Sequence, residues 1–256
     1  TFVITGPDPL WQLDGALAND PQMVRGEELL RLGKVGEAEA ELDALTAAVQ
    51  SDAEATYRLM HKLLDMRLYR LAILASRQIL RLAAMDDAAT MSAPVYFNRI
   101  RFGPYFADLI LPEAAARGLD GVLALAVVRQ ESLFDGTSTS SAQARGLMQV
   151  IPSTGQGIAN ALGWPPDYSE DDLYRPLVSI RFGTYYLASQ RDRFDGDLYA
   201  ALAAYNGGPG NAQAWKELAP DDPDLFLEII RLSETHLYVR RIAEIFAIYR
   251  DLYGTS

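Results

Sequence analysis

Apolar residues recur at the 3.6-residue period of an amphipathic helix through nearly all of this chain, in runs rich in Ala, Leu, Arg and Glu. No stretch alternates in the manner of a half-buried strand. That single pattern confines the fold to packed helices, an all-α architecture. At 256 residues the chain can bury a large core and hold one or two domains. Charge then narrows what those helices can do. A formal net charge of −11 repels nucleic acid and anionic membrane, since both need a basic footprint, so no nucleic-acid partner is expected. The absence of Cys removes disulfides and thiolate chemistry. With only His61 and His236, neither a His-rich metal site nor a Ser-His-Asp triad is expected, and no metal or cofactor is called for. No apolar run reaches membrane-spanning length and no segment reads as a signal peptide. Because the chain starts at Thr1 rather than Met, it reads as a mature or trimmed form from which an export signal has been lost.

Two segments of the first half repeat. LGKVGEAEAELDAL at 32–45 and MRLYRLAILASRQIL at 66–80 place Ala38 opposite Ala72, and Val35 opposite Tyr69, at a spacing of 34 residues. A small residue at that period, where helices cross closely, resembles a tetratricopeptide-like helical hairpin. A plain antiparallel helical array accounts for it equally well. Residues 1–92 are therefore expected to form an α-superhelical region. In 93–115 the texture changes: Pro94, Pro104 and Pro112 with several aromatics predict a packed connector. From 116 to 256 a compact helical domain is expected, with helices near 121–132 (capped by Asp120), 145–151, 153–162, 176–192, 197–206, 210–218, 223–231 and 233–252. Gly163 and Gly207 are placed as stops.

Within the first of these helices, ALAVVRQESLF at 124–134 sets Glu131 on the same face as Ala124, Val127 and Val128. Arg129 points elsewhere and is a poor partner. A carboxyl on an oily stripe without a neighbouring cation either ends a helix and faces water, pairs with an Arg from elsewhere in the chain, or serves a function there. Three further stretches bear on the choice. RGLMQ at 145–149 places Gln149 after Gly146; AAYNGGPG at 203–210 ends a helix in Tyr205 and Asn206; SETHLYV at 233–239 opens a helix with Ser233 as cap and Glu234 in its first turn. Each alone is explained by a helix stop, a cap, or a favourable charge at a helix dipole.

Taken in order, RQES, GLMQ eighteen residues later, AAYNGGPG and SETHLYV resemble the catalytic domain of the soluble lytic transglycosylases, over about residues 95–252. The resemblance implies a lysozyme-like helical catalytic domain that acts on peptidoglycan glycan strands and muropeptides, in the periplasm or cell envelope, without metal or cofactor. It implies that Glu131 is the sole catalytic carboxylate. Ser140 and Gln149 would line the glycan groove, and Tyr205 and Asn206 would contact substrate or position the acid. Glu234 would support the site and Tyr238 pack there. The preceding helical region is similar in architecture to the superhelical portion of some members, and would offer protein contacts. The chain departs from the family's usual loop, S-x-x-G-A-x-G-L-M-Q, in having Gln143 where the first glycine stands and Arg145 before the second, and Asp135-Gly136 replaces a common Asn-Pro.

The implied reaction cleaves the MurNAc–GlcNAc β-1,4 bond and leaves 1,6-anhydromuramyl ends, with Glu131 acting first as acid and then as base. An apolar setting suits that role, because it disfavours the carboxylate and raises the pKa. Hydrolysis by a muramidase of the goose-type lysozyme kind stays open. It needs a second carboxylate, for which Asp135, Asp195, Asp197 and Glu234 are candidates. A peptidoglycan-binding scaffold with a secondary enzyme domain is the third reading.

Overall fold

The structure, a computed structural model, describes residues 9–85 and 92–254; positions 1–8 and 86–91 of the expected superhelical region lie outside them. Among the described residues every regular element is helical, and extended pairing is limited to two isolated bridges. The chain divides into two compact units between Gly103 and Pro104, inside the proline-rich stretch 93–115.

In the first unit, a 3₁₀ turn at Pro9–Trp11 leads into α1 (Gly15–Ala18), α2 (Pro21–Arg31), α3 (Val35–Ala48), α4 (Ala53–Asp65), α5 (Tyr69–Leu82) and α6 (Val95–Arg101). Aspartates start the second and fourth helices: Asp20 accepts from the Gln22 N–H at 2.8 Å, and Asp52 from those of Glu54 and Ala55 at 2.9 and 3.0 Å. Helices α2–α3 and α4–α5 form two hairpins in matching phase. The 34-residue spacing is visible in detail, since α3 and α5 both run 14 residues and begin at Val35 and Tyr69. Each preceding helix stops in the same way: Lys34 N–H bonds Leu29 O and Leu68 N–H bonds Leu63 O, both at 2.9 Å. The left-handed residue at that stop is Gly33 in one copy and Arg67 in the other. Ala38 and Ala72 are fully buried, and Leu42, Leu59, Leu63 and Leu71 fill the core around them.

The second unit holds α7 (Ala107–Ala115), α8 (Gly121–Ser132), α9 (Pro152–Leu162), α10 (Pro176–Arg193), α11 (Leu198–Gly207), α12 (Pro209–Leu218), α13 (Pro223–Ile229) and α14 (Ser233–Tyr253), with a 3₁₀ turn at Glu170–Tyr174. Two helices are core nearly all round. Leu123–Val128 of α8 and Ala200–Ala204 of α11 are buried, so neither helix can present a polar face there. Both pack on α14, which at 21 residues is long enough, about 32 Å, to span them. α10 and α12 cover the remaining sides of α11.

Several local expectations need correction. Residues 145–151 are not a helix: Gly146 and Gln149 take φ of 73° and 48°, and Arg145 pairs with Val150 as an isolated bridge. The apolar run Leu147-Met148 mimicked helical periodicity, but its burial is supplied by the surrounding helices. Ser233 is the first residue of α14 and makes no capping bond; the cap position is Leu232. The stop after α11 is Gly208, at φ 86°, while Gly207 is still helical. Pro112 lies inside α7, and the 93–115 stretch carries two short helices.

Candidate active site

α8 delivers Glu131 to the surface of the second unit. Asp120 caps the helix, accepting from Val122 N–H at 2.7 Å, and the buried run Leu123–Val128 pins it into the core. Its far end is held by Ser132, whose hydroxyl donates to Leu147 O at 2.9 Å. The chain then leaves the helix at once through left-handed Leu133 and Phe134. Glu131 on this last turn is half-buried.

The hydroxyl of Tyr238, from α14, donates to Glu131 Oε1 at 2.5 Å. Burial pushes the Glu131 carboxyl up to about 8, the nearby Glu234 carboxylate adds to the rise, and the Tyr238 hydrogen bond opposes it. At neutral pH the group is therefore mostly a carboxylic acid. With Oε1 accepting from Tyr238, the acid proton belongs on the other oxygen. The phenols of Tyr205 and Tyr238 are also raised, by burial first and then by Glu131, so both stay neutral.

Two cavities of about 270 and 300 Å³ meet at Glu131 and share Ser140, Gln149, Asn206 and Glu234 in their walls. Tyr205 lines the first of them. All six residues singled out in the sequence thus border one groove. Their side chains are differently engaged. Gln149 donates to Ser138 O at 3.2 Å and Gly146 O at 2.9 Å, and Ser140 Oγ accepts from Ala144 N–H at 3.1 Å, so both brace the loop they line. The Tyr205 hydroxyl donates to Met148 O at 2.8 Å, which ties α11 to the 145–150 turn. Asn206 Oδ1 accepts from Thr235 Oγ1 at 2.7 Å, and Glu234 beside it is exposed. A Cβ added at Gly207 would stand 2.7 Å from that same Thr235 hydroxyl, so α11 and α14 approach closely where these two groove residues meet.

Of the other carboxylates weighed from the sequence, none borders either cavity. Asp135 accepts from Thr137 N–H and Oγ1, both at 2.8 Å; Asp197 caps α11 and pairs with Lys216 at 2.6 Å; Asp195 is exposed in a turn. Glu234 is the second carboxylate in the groove. Among the described residues no group of three or more His, Asp or Glu is arranged to hold a metal, and no helix is long and apolar enough to cross a membrane.

Sequence reasoning missed Tyr186, whose ring lies 5.3 Å from that of Tyr205, and Ile151 and Thr154 at the start of α9. Nothing in their local sequence marks them apart from ordinary helix aromatics and starts. Leu237 and Arg241 were also missed, although a signal existed: with Glu234 and Tyr238 they follow i, i+3, i+4, i+7, one face of α14. Gln143, the departure from the family's glycine, has φ 62°, a conformation that glycine adopts without steric cost.

Comparison with known proteins gives this geometry a family. Residues 108–224 match the Transglycosylase SLT domain. A soluble lytic murein transglycosylase of Salmonella typhimurium is 31% identical over 156 residues, 60% of this chain and 24% of that protein. A membrane-bound lytic murein transglycosylase C of Actinobacillus succinogenes is 34% identical over 130 residues, 47% of this chain and 36% of that one. Among solved structures, the 70 kDa soluble lytic transglycosylase of Escherichia coli superposes with a TM-score of 0.79 at 26% identity, over 98% of this chain and 38% of its own. A complex of a 70 kDa soluble lytic transglycosylase with bulgecin A gives 0.80 at 25% identity, over 99% and 38%. A Pseudomonas aeruginosa lytic transglycosylase, solved as an inactive glutamate-to-glutamine mutant, gives 0.74 at 28% identity, over 98% and 38%. The chain spans about a quarter of the length of the Salmonella relative. An all-helical unit with a half-buried acid in its groove is thus matched over residues 108–224 by the Transglycosylase SLT domain, and the chain is similar to the soluble lytic murein transglycosylases.

Proposed function

We propose that this chain is a peptidoglycan lytic transglycosylase that cleaves the MurNAc–GlcNAc β-1,4 bond, with Glu131 as general acid and then general base. The observation that carries the reading is Glu131 itself: a half-buried carboxyl held up to about 8 at the meeting point of two groove cavities, with one oxygen fixed by Tyr238. Such a group keeps its proton at neutral pH and can give it to the glycosidic oxygen as that bond breaks. The acetamido group of the sugar steadies C1. The carboxylate left behind then takes the proton of the same sugar's 6-hydroxyl, whose oxygen bonds C1 and closes the 1,6-anhydro ring. Glu131 is thereby reprotonated. Since the nucleophile is part of the substrate, its effective concentration is high and no water need be positioned. Support also comes from relatives that act on murein by name and from one that is inactive when a glutamate is replaced by glutamine. The substrates are glycan strands and muropeptides, and the place of work is the periplasm or cell envelope. The helical hairpins α2–α3 and α4–α5 are available for protein contacts.

The product decides between this reading and a muramidase. Digested peptidoglycan should show, by mass spectrometry, muramyl ends one water lighter than hydrolysis products, and borohydride should leave them unreduced. Predominantly reducible muramic acid ends would instead place water as the nucleophile and Glu234, the second carboxylate of the groove, as its base.

Glu234 has a narrower role here. Its charge helps to keep Glu131 protonated. Removing that charge stabilises the Glu131 carboxylate, so Glu234→Gln should move the alkaline limb of the pH–rate profile to lower pH. Burial, the larger cause, remains, so the limb stays above the range of an ordinary glutamate. A profile that does not move would show that Glu234 acts on substrate and not on the acid.

A further inference from the structure

One aromatic ring of the first unit is left in water and braced from behind. Of the exposed large apolar side chains among the described residues, Trp11 alone is aromatic, with 46% of its surface in water. Its indole stacks on the ring of His61, centroids 5.2 Å apart and planes 23° from parallel. His61 is fixed in turn: its Nε2 lies 2.6 Å from the Tyr96 hydroxyl, and the Tyr57 ring meets it edge-on at 4.7 Å. The open side of Trp11 borders a cavity of about 340 Å³ between α2 and α4, whose wall also carries Gln12, Met23, Glu27, Lys62 and Asp65. It shares no residue with the groove of the second unit. Lys62 is committed to Glu27 at 2.6 Å, whereas the Asp65 carboxylate and the Gln12 amide have no partner among the described residues. A rigid aromatic platform flanked by uncommitted polar groups is the make-up of a small-ligand site.

We infer that this cavity is a second, non-catalytic saccharide site, which takes an N-acetylated amino sugar with the apolar face of its pyranose ring on Trp11. The inference rests on the reading of the chain as an enzyme of peptidoglycan strands. A β-linked pyranose presents C–H bonds on its faces and hydroxyls around its rim. The weakly positive C–H groups meet the negative face of the indole. The rim hydroxyls donate to Asp65, and the Gln12 amide donates to the acetamido oxygen. Because His61 already orders the Trp11 ring, little side-chain freedom is lost on binding. Other ligands fit the wall less well. An anion meets Glu27 and Asp65, and a wholly apolar ligand strips water from those carboxylates and from Lys62. A small cation suits the charge, but it finds one aromatic wall instead of a cage and shares the cavity with Lys62. A glycan strand repeats its sugars, so the site and the groove can hold one strand or two. Either way, two linked sites on one insoluble substrate raise the apparent affinity without any new contact in the groove.

The test uses the Glu131→Gln protein, in which binding is read without turnover. The chain has three tryptophans, so its indole N–H signals in a proton–nitrogen NMR spectrum are few, and the one lost in Trp11→Phe belongs to Trp11. Titration with chitotetraose, the tetramer of N-acetylglucosamine, should move that signal saturably, and tetramethylammonium should leave it in place. Asp65→Ala should raise the dissociation constant read from it about fivefold, the worth of one hydrogen bond. In sedimentation with purified sacculi, Trp11→Ala should lower the bound fraction several-fold, and Trp11→Phe, which keeps a ring on His61, should recover part of it. No saturable shift with chitotetraose, a shift that Asp65→Ala does not weaken, a shift with tetramethylammonium alone, or an unchanged bound fraction for Trp11→Ala overturns the proposal. Failure of the functional reading looks different: the Trp11 signal still responds to chitotetraose while protein with Glu131 intact releases nothing from peptidoglycan.

Discussion

Glu131→Gln should abolish wall-digesting activity while leaving the fold intact. The amide is nearly isosteric, and Tyr238 can still donate to its oxygen, so the hydrogen bond that seats the side chain survives. What disappears is the proton. General acid–base catalysis is worth about 10²–10⁴-fold, and here one group serves both steps, so the loss should reach at least the upper part of that range. The same substitution should stabilise the protein, and the sign can be worked out. The folded carboxyl ionises near 8 and the unfolded one near 4.5. Wild-type stability from this group is fully present below pH 4.5 and is lost as pH rises toward 8, because the unfolded chain ionises first. Glutamine has no such loss. At pH 8 the variant should gain about 1–3 kcal/mol, a few degrees in Tm, the groove's access to water keeping the figure moderate. At pH 4 the gain should vanish. Rate on purified peptidoglycan and melting curves at the two pH values check both halves. Near wild-type turnover by a folded variant would remove Glu131 from the mechanism.

Gly146→Ala should be among the most damaging single-methyl changes in the second unit. The backbone there has φ 73°, where an L side chain is strained, and an added Cβ would run into the carbonyl oxygen of Leu173 and stand 2.9 Å from Ser179 Oγ. Neither neighbour can retreat cheaply: Leu173 is fully buried, and Ser179 Oγ accepts from Met148 N–H at 3.1 Å. The turn must shift, and it carries Gln149 and the Met148 carbonyl that receives Tyr205. A loss of about 3 kcal/mol or more is expected from strain and overlap together, with activity falling further than the melting point alone explains because the groove wall moves. Gly157→Ala is the matched control: it lies on α9, where an added Cβ meets nothing within 4 Å, so it should be neutral or slightly stabilising. If both variants melt alike, the close packing around Gly146 is not what holds this turn.

The helical half of this description was legible in the residues. Asp120 announced the start of α8 and Gly163 the end of α9, and the matched phases of Val35 and Tyr69 marked two helices, α3 and α5, that start 34 residues apart. Those signals are local, each carried by a cap, a left-handed stop or a period within a few turns. The six residues that the ordered motifs single out border one groove, although they lie as far apart in the chain as Glu131 and Glu234. Where the apolar pattern was borrowed, local reading failed: Leu147 and Met148 looked helical at 145–151, yet two positive φ angles and neighbouring helices make that stretch a turn.

Sequence alone determined an all-helical chain, its cysteine-free acidic character and the identity of Glu131 as the carboxyl to watch. Only the tertiary structure decided what that carboxyl is. Its partner Tyr238 comes from 107 residues away, its proton is retained because surrounding helices exclude water, and Glu234 adds its charge from α14. Arg241 acquired its place at the groove in the same way, when α14 packed on α8 and α11. Caps and periods act over one or two turns of chain, whereas desolvation and Coulomb interaction depend on distance through space, which no linear reading contains.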